Sequence, residues 1–491
     1  MAMRFTELLA SAGLGPTRIQ GDAEVTDVTA DSRRCRAGCC FVAVRGTAAD
    51  GHRFIGQAVA GGAAAVVCED PAAVPPACAW ATVGDSRVAI ARLAQAIRGW
   101  PARRLTCVGI TGTNGKTTVA HLLRAILADA GHSPGLLGTI RYETGGRSQE
   151  ASTTTPDPVL LAELTDEMVA GGRTHLVMEV SSHALDQHRI AGLEFGVGVF
   201  TNLTGDHLDY HGDMDTYAAV KRKLFESLSG GATAVINRDD PAGERMAEGI
   251  EAAVVWYGLS SAADLWARID RIDASGTEFR FLRGEREVAA TTPLIGRHNV
   301  LNCLAAAAAC EAMGVPLPAC AESLRRVAPV PGRLQRVPGE APFSVFVDYA
   351  HTDDALANVL GALRPLTRER LIVVFGCGGD RDRTKRPRMA RVAERFADVI
   401  VITSDNPRSE DPRAIIEEIR AGLGNGGRNR TILEPDRKAA IVLAIEQAHA
   451  GDVVLIAGKG HENYQVLGDR RVHFDDVEVA GEALGSRRGP R

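Results

Sequence analysis

The segment LTCVGITGTNGKTT, Leu105 to Thr118, constrains this chain more than any other. An apolar run of strand type ends at Thr111, a glycine-bearing turn follows, and the helical pattern TVAHLLRAILADAG opens at once. A strand that feeds a helix through so short a turn is a parallel α/β unit. The turn also carries chemistry. Gly112 and Gly115 let the backbone approach a phosphate closely, and the helix start presents unpaired N–H groups with a partial positive charge. Lys116 can reach β- and γ-phosphates, and the Thr117 hydroxyl can ligate Mg²⁺. Ile110 stands six residues before Lys116, where the standard phosphate-loop pattern has glycine. The strand–turn–helix context still predicts a nucleotide site from Gly112, Thr113, Asn114, Gly115, Lys116, Thr117 and Thr118.

The alternation recurs along the chain. CFVAVRG from Cys40, HLVMEVSS from His175, RLIVVFG up to Gly376 and DVVLIAG up to Gly458 are near-continuous apolar strands set between helical patterns. Such strands predict an α/β protein with parallel sheets covered on both faces. A chain of 491 residues exceeds one core and suggests two to four domains. Pro and Gly concentrate at Trp100-Pro101 and in the stretch from Ala328 to Arg333, which predicts domains at 1–100, 101–330 and 331–491. The basic tail after Gly485 is expected to fray.

Several function classes are disfavoured. No run of eighteen apolar residues occurs, so no membrane span is expected. The start MAMRFTELLASAGLG lacks a signal-peptide core and cleavage site, which points to a cytoplasmic protein. A net charge of −5 with mixed signs gives no nucleic-acid footprint. Of ten cysteines, Cys35, Cys39 and Cys40 cluster, but no second pair completes a zinc site. They read as reduced small hydrophobes.

Three further elements carry candidate chemistry. Glu179 falls near the end of an apolar strand, where a carboxylate is costly unless paired or metal-bound. It is a candidate Mg²⁺ ligand or a solvent-facing strand end. The segment VFTNLTGDHLDYHGD places Asp206, His207, Asp209 and His211 together, as either a cation-binding set or a solvated polar loop. In TYAAVKRKLFESL, Tyr217, Val220, Leu224, Phe225 and Leu228 share one helical face and Lys221 sits within that arc. A lysine so placed either snorkels to solvent or becomes a neutral, nucleophilic amine.

Together with NLTGDHLDYHG, YAAVKRKLF, GRHNVLN, PGRLQRV, VDYAH, FGCGGDRD, DNPR and AGKGHE, these motifs resemble the Mur ligases from roughly Ala30 to Phe474. The set is similar to the branch that adds the third amino acid to a UDP-linked peptide precursor. The resemblance implies a uridine-binding first domain, a phosphate-loop ATPase-type central domain and a Rossmann-like third domain. It implies ATP and Mg²⁺, transfer of the γ-phosphate to a D-Glu side-chain carboxyl, and attack of an amine on the acyl phosphate. Thr117 and Glu179 would hold one Mg²⁺. His207 and Lys221 would serve a second, with Lys221 carrying a CO₂-derived carbamate. Asn299, Arg333 and Asp348 would contact nucleotide. Asp31, Ser32 and Arg33 match the uridine element, and Thr154, Thr155, Ser181, Gln187 and Arg189 match the muramoyl-dipeptide positions. DNPR resembles the meso-diaminopimelate variant. Arg408 there offers a bidentate fork for the distal carboxylate, with Arg381, Asp405, Asn406, Pro407, Gly458 and Glu462 around it.

The implied partners are UDP-N-acetylmuramoyl-L-Ala-D-Glu and meso-diaminopimelate, acted on by a monomer. L-lysine is the alternative amino acid. A folylpolyglutamate synthase-like ligase and a non-catalytic nucleotide switch are the rival readings. Two departures are visible. Asp353 replaces the usual proline of DYAHTP, and the loop TAADGH after Gly46 lacks a histidine found in some relatives.

Overall fold

The computed structural model describes residues 2–46 and 49–486. Thr47 and Ala48 of the TAADGH loop and residues 487–491 of the basic tail lie outside the described residues. Three large sheets follow one another along the chain.

The first has five strands, with Ala63–Cys68 at its centre and Cys39–Val42 and Ala79–Thr82 on either side. These pair in parallel, and Arg18–Gln20 adds an antiparallel edge. All ten cysteines are free and buried. The second sheet has eleven strands. Thr106–Thr111 lies between His175–Glu179 and Phe195–Phe200, and all three run parallel. The third has six strands, with Leu371–Phe375 and Val453–Ala457 parallel and fully buried. The protein is thus a three-sheet α/β chain whose central strands are the apolar runs of the sequence.

The central sheet departs from the all-parallel expectation at both ends. Arg141–Glu143 and Ser148–Glu150 form an antiparallel hairpin on one side. Leu265–Asp273, Gly276–Arg283 and Arg286–Thr292 form an antiparallel meander on the other. One face of the meander is exposed and rich in Arg and Glu, so its strands alternate instead of reading as apolar runs.

Helix Lys116–Asp129 follows the glycine turn and packs on helix Arg297–Ala312. The run Ala305 to Ala309 in the latter is fully buried, and small side chains let the two helices approach closely. Neither sequence break is loose. Trp100 is largely buried, with its indole N–H donating to Ser11 O at 3.1 Å. Gly332, at φ +65°, presses on the backbone of Gly460 and His461, leaving no room for a Cβ. Among the described residues no helix is long and apolar enough to cross a membrane.

Candidate active site

The turn after Thr111 is held open from outside. Gly112 has φ +145°, and a Cβ there would collide with Thr201 Oγ1. Gly115 has φ +87°, with Asn302 Oδ1 2.6 Å from where a Cβ would lie. Thr201 Oγ1 donates to Asn114 O at 2.6 Å, and Asn202 Oδ1 accepts from Asn114 N at 2.8 Å. Thr113 Oγ1 donates to Thr204 O at 3.1 Å. Glycine is needed at two points because the clamp leaves no space for side chains. Thr118 is buried as the third residue of the helix. Thr201, Asn202 and Asn302 escaped the sequence reading. Their signal was present in NLTGDH and GRHNVLN, but nothing in spacing tells which side chain faces a turn so distant in sequence.

Two lysines converge on one carbonyl. Lys116 Nζ donates to Gly112 O at 2.8 Å and to Thr113 O at 2.9 Å. Lys221 Nζ donates to the same Gly112 O at 2.9 Å. Lys221 is 1% exposed and lies over the Tyr217 ring at 4.4 Å, so its amine does not snorkel to solvent. Burial, reinforced by the charge of Lys116, pushes its pKa well below the usual lysine value.

Glu179 is buried, not a solvent-facing strand end. It accepts from Thr117 Oγ1 at 3.0 Å, Thr139 N at 2.8 Å and Thr139 Oγ1 at 3.0 Å, all neutral donors. A buried carboxylate paired with a threonine hydroxyl and given no cation among these donors suits a divalent metal. The proposed His/Asp loop divides. His207, at φ +55°, is half exposed beside Asp206 at 3.5 Å, and it starts the short helix Leu208–His211. Asp209 is exposed. His211 turns inward, stacks on Tyr217 and meets Ser182 Oγ at 2.9 Å, so it is unavailable as a loop ligand. Among the described residues no three His, Cys, Asp or Glu side chains form a ready-made metal site.

A cavity of about 280 Å³ opens beside the turn, between the second and third sheets. Asn114, Asn299, Arg333 and Asp348 line it. Asn299 Nδ2 donates to Ile295 O at 2.9 Å and its Oδ1 accepts from Asn302 at 3.0 Å. Arg333 crosses from the third region, donating to Thr117 Oγ1 at 3.0 Å and lying over Tyr349 at 4.8 Å. Burial raises the Asp348 carboxyl to about 6, against the opposing pull of Arg333. Asp353 begins helix Asp353–Leu363 with Thr352 as its cap, so an acid replaces proline at a helix start that accepts either.

A wider cavity of about 820 Å³ joins the first and second regions. Ser32, Arg33, Gln187 and Arg189 line it, with Phe54 and Arg87. Ser32 Oγ donates to Gln57 Oε1 at 3.0 Å, while Asp31 is taken up by Arg33 at 2.8 Å. Arg189 donates to Thr155 O at 3.0 Å and Gln187 Oε1 at 2.9 Å. Thr155 Oγ1 lies 3.3 Å from Ser181 Oγ, and Thr154 Oγ1 lies 3.1 Å from Thr139 Oγ1. These positions therefore run from the wide cavity to Glu179.

The third group of candidate residues sits at the carboxyl ends of Val399–Ile402 and Val453–Ala457. Gly458 has φ +118°, and a Cβ there would lie 2.7 Å from Asp405 Oδ2. Asn406 Nδ2 donates to Glu462 Oε2 at 2.9 Å. Pro407 is buried against Gly379, which has no room for a Cβ. Arg408, at φ +53°, donates to the carbonyls of Gly379 at 2.8 Å and Asn406 at 3.4 Å. It does not take Asp411, which caps Arg413 N at 3.0 Å instead. Arg381 is exposed nearby, its guanidinium on Asp380 O at 3.0 Å. Burial and Asp405 raise the Glu462 pKa, and Lys459 and Asn406 draw it down.

The same three regions are matched by known families. Residues 24–98 match "Mur ligase family, catalytic domain", 110–310 match "Mur ligase middle domain" and 332–460 match "Mur ligase, glutamate ligase domain". A relative from Gloeobacter violaceus, named UDP-N-acetylmuramoyl-L-alanyl-D-glutamate--2,6-diaminopimelate ligase, is 46% identical over 490 residues, 99% of each chain. One of the same name from Geobacillus kaustophilus is 46% identical over 95% of this chain and 96% of its own. A solved structure of a ligase of that name superposes with TM-score 0.69 at 32% identity, covering 100% of both chains. MurF from Acinetobacter baumannii, at 19% identity, 93% and 95% coverage and TM-score 0.64, shares the fold. With a glycine turn and two converging lysines in place along a chain matched almost end to end, this protein belongs to the Mur ligase family.

Proposed function

We propose that this chain joins meso-2,6-diaminopimelate to the D-glutamyl side-chain carboxyl of UDP-N-acetylmuramoyl-L-alanyl-D-glutamate, with ATP converted to ADP and phosphate. The observation that carries the choice of amino acid is Arg408. It is a half-buried guanidinium whose acceptors among the described residues are two carbonyls, set beside Asn406 and Glu462. A distal carboxylate would complete that fork, and L-lysine has none. The curated relatives over the full length carry the diaminopimelate name, which supports the same choice.

Chemistry follows from the two ends of the site. A carboxylate is a poor electrophile. Transfer of the γ-phosphoryl to one of its oxygens breaks the bond to ADP and creates a leaving group. Lys116 neutralises charge on the transferring phosphoryl, and the helix start behind it does the same. The nucleotide lies in the cavity of Asn299, Arg333 and Asp348. Mg²⁺ held by Thr117 and Glu179, and a second ion served by His207 and Lys221, would supply further charge neutralisation. The buried Lys221 amine suits carbamylation, because depressed basicity leaves it a free nucleophile toward CO₂. Ser181, Gln187, Arg189, Thr154 and Thr155 orient the muramoyl dipeptide, with its uridine toward Ser32. The amine, as free base, attacks the acyl phosphate carbon, and collapse of the tetrahedral intermediate expels phosphate and leaves the amide. Closed domains would keep water from the acyl phosphate.

The testing experiment is mass spectrometry of the product with diaminopimelate and lysine in equal competition. A product heavier by diaminopimelate, dependent on ATP and the UDP-dipeptide, is expected. A lysine product, or phosphate release needing neither substrate, would overturn the assignment.

A further inference from the structure

One buried cation in the third group has no part in the chemistry above. Lys459 is 0% exposed, and it lies between Gly458 at φ +118° and Gly460 at φ +55°. Those two glycines take the left-handed backbone on either side of the lysine, and its side chain is turned inward. Its Nζ meets Glu462 Oε2 at 3.3 Å and Asn406 Oδ1 at 3.3 Å, and it lies 5.4 Å above the Tyr464 ring. Asn406 is fixed in turn, since its Oδ1 also accepts from Val466 N at 2.9 Å.

The consequence concerns the two oxygens of Glu462. Oε2 is occupied by Lys459 and by Asn406 Nδ2 at 2.9 Å. Among the described residues Oε1 has the Tyr349 hydroxyl at 3.5 Å as its one hydrogen-bond partner, so it is the oxygen left for a ligand ammonium. We infer that Lys459 is a positioning residue for amino-acid recognition, which pins Glu462 by one oxygen and keeps the other ionised and turned to the substrate. Its full burial keeps Lys459 itself from touching substrate. The inference rests on the assignment of this pocket to the incoming amino acid.

Charge balance argues the same way. Two acids, Asp405 and Glu462, share a buried pocket, and burial together with Asp405 raises the Glu462 pKa. Lys459 and Asn406 oppose that rise. Tyr349 and Tyr464 face Glu462 with raised phenol pKa values, and Arg437 adds a positive charge from below. Arg437 is committed to Asp476 at 2.7 Å, so it cannot take over the role of Lys459. Removing the lysine would take away one of the two groups that hold the Glu462 pKa down, and so favour its protonated form.

The test compares Lys459→Met and Lys459→Arg with the parent across pH, with folding checked by thermal melting and by affinity for the UDP-dipeptide. For Lys459→Met the amino-acid KM should rise about tenfold or more near neutral pH while kcat changes little. The acid limb of 1/KM should move to higher pH, and Lys459→Arg should recover most of both effects. If Lys459→Met does not fold, Lys459→Gln, which keeps a donor but loses the charge, is read by the same limb. An unchanged KM, or a KM rise independent of pH and equal in Lys459→Arg, would overturn the inference. Should the parent prefer lysine over diaminopimelate, the substrate proposal falls, yet Lys459→Met must still raise the KM of the amino acid used.

Discussion

The glycine turn and the Glu462 cluster of the third region handle charge in different ways. At the turn, Lys116 and Lys221 crowd one backbone carbonyl, and Glu179 nearby is satisfied only by neutral donors. In the third region Lys459 meets Glu462, and just below it Arg437 meets Asp476. Arg386 is likewise bound by Glu410 at 2.8 Å and Glu418 at 2.7 Å. The exceptions there are Arg408 and the exposed Arg381, which donate to carbonyls. The difference teaches where ligands belong. Under the proposed function a polyphosphate would meet Lys116, whose amino group is bonded to carbonyls, while the depressed basicity of Lys221 favours a neutral amine. The region proposed to read a zwitterion pairs several of its buried charges, and leaves Arg408 on carbonyls and Glu462 Oε1 with the Tyr349 hydroxyl at 3.5 Å.

The sharpest way to break this contrast is at the turn. Lys116→Ala should lower kcat by about 100-fold or more with the fold retained, since one donor to a transferring phosphoryl is lost. Single-turnover ADP formation alongside a thermal melt measures it, and normal turnover would remove the ATP assignment. Lys221→Ala should be nearly as damaged, by roughly 100-fold, and millimolar formate or acetate should restore part of the rate. The vacated space would admit a small carboxylate in place of a carbamate. Full activity without any added acid would return Lys221 to a packing role.

The pocket should respond through binding instead. Arg408→Ala should raise the diaminopimelate KM by about 30-fold or more, from a truncated charge pair worth roughly 2–5 kcal/mol. The ratio of kcat/KM for diaminopimelate and lysine is the readout, and an unaltered ratio would sink the specificity claim while sparing the ligase. The smallest effect is expected between the regions. Asn463 Nδ2 donates to Glu150 Oε1 at 2.9 Å across the exposed interface. Asn463→Ala should cost less than about tenfold in kcat/KM, as one neutral-to-charged hydrogen bond near solvent contributes little net energy. A larger loss would mean that this contact, not the pocket charges, governs closure.

Much of this was legible in residue order. The apolar runs ending at Thr111, Glu179, Phe375 and Ala457 are the central strands, because a strand covered on both faces has no polar face to show. The meander from Leu265 to Thr292 was not legible, since its alternation with many charges resembles a loop or a surface helix as readily. His211 illustrates the same limit. Beside Asp206 and His207 it reads as one of a loop set, and only the helix turn at Leu208–His211 sends it inward to Ser182.

The sequence by itself determined the α/β class, the phosphate turn, the lysine on an apolar face and the arginine of DNPR. Each of these is a local matter of spacing and residue type within about a dozen positions. Tertiary structure alone decided that Lys116 and Lys221, 105 positions apart, meet at Gly112 O, and that Arg333 reaches back to Thr117. It alone showed that Lys459 lies beneath Glu462, with one oxygen pinned and one free. Sequence spacing sets which face of its own element a side chain occupies. Which distant group shares its space is set by how the sheets and helices pack, and no local pattern encodes that.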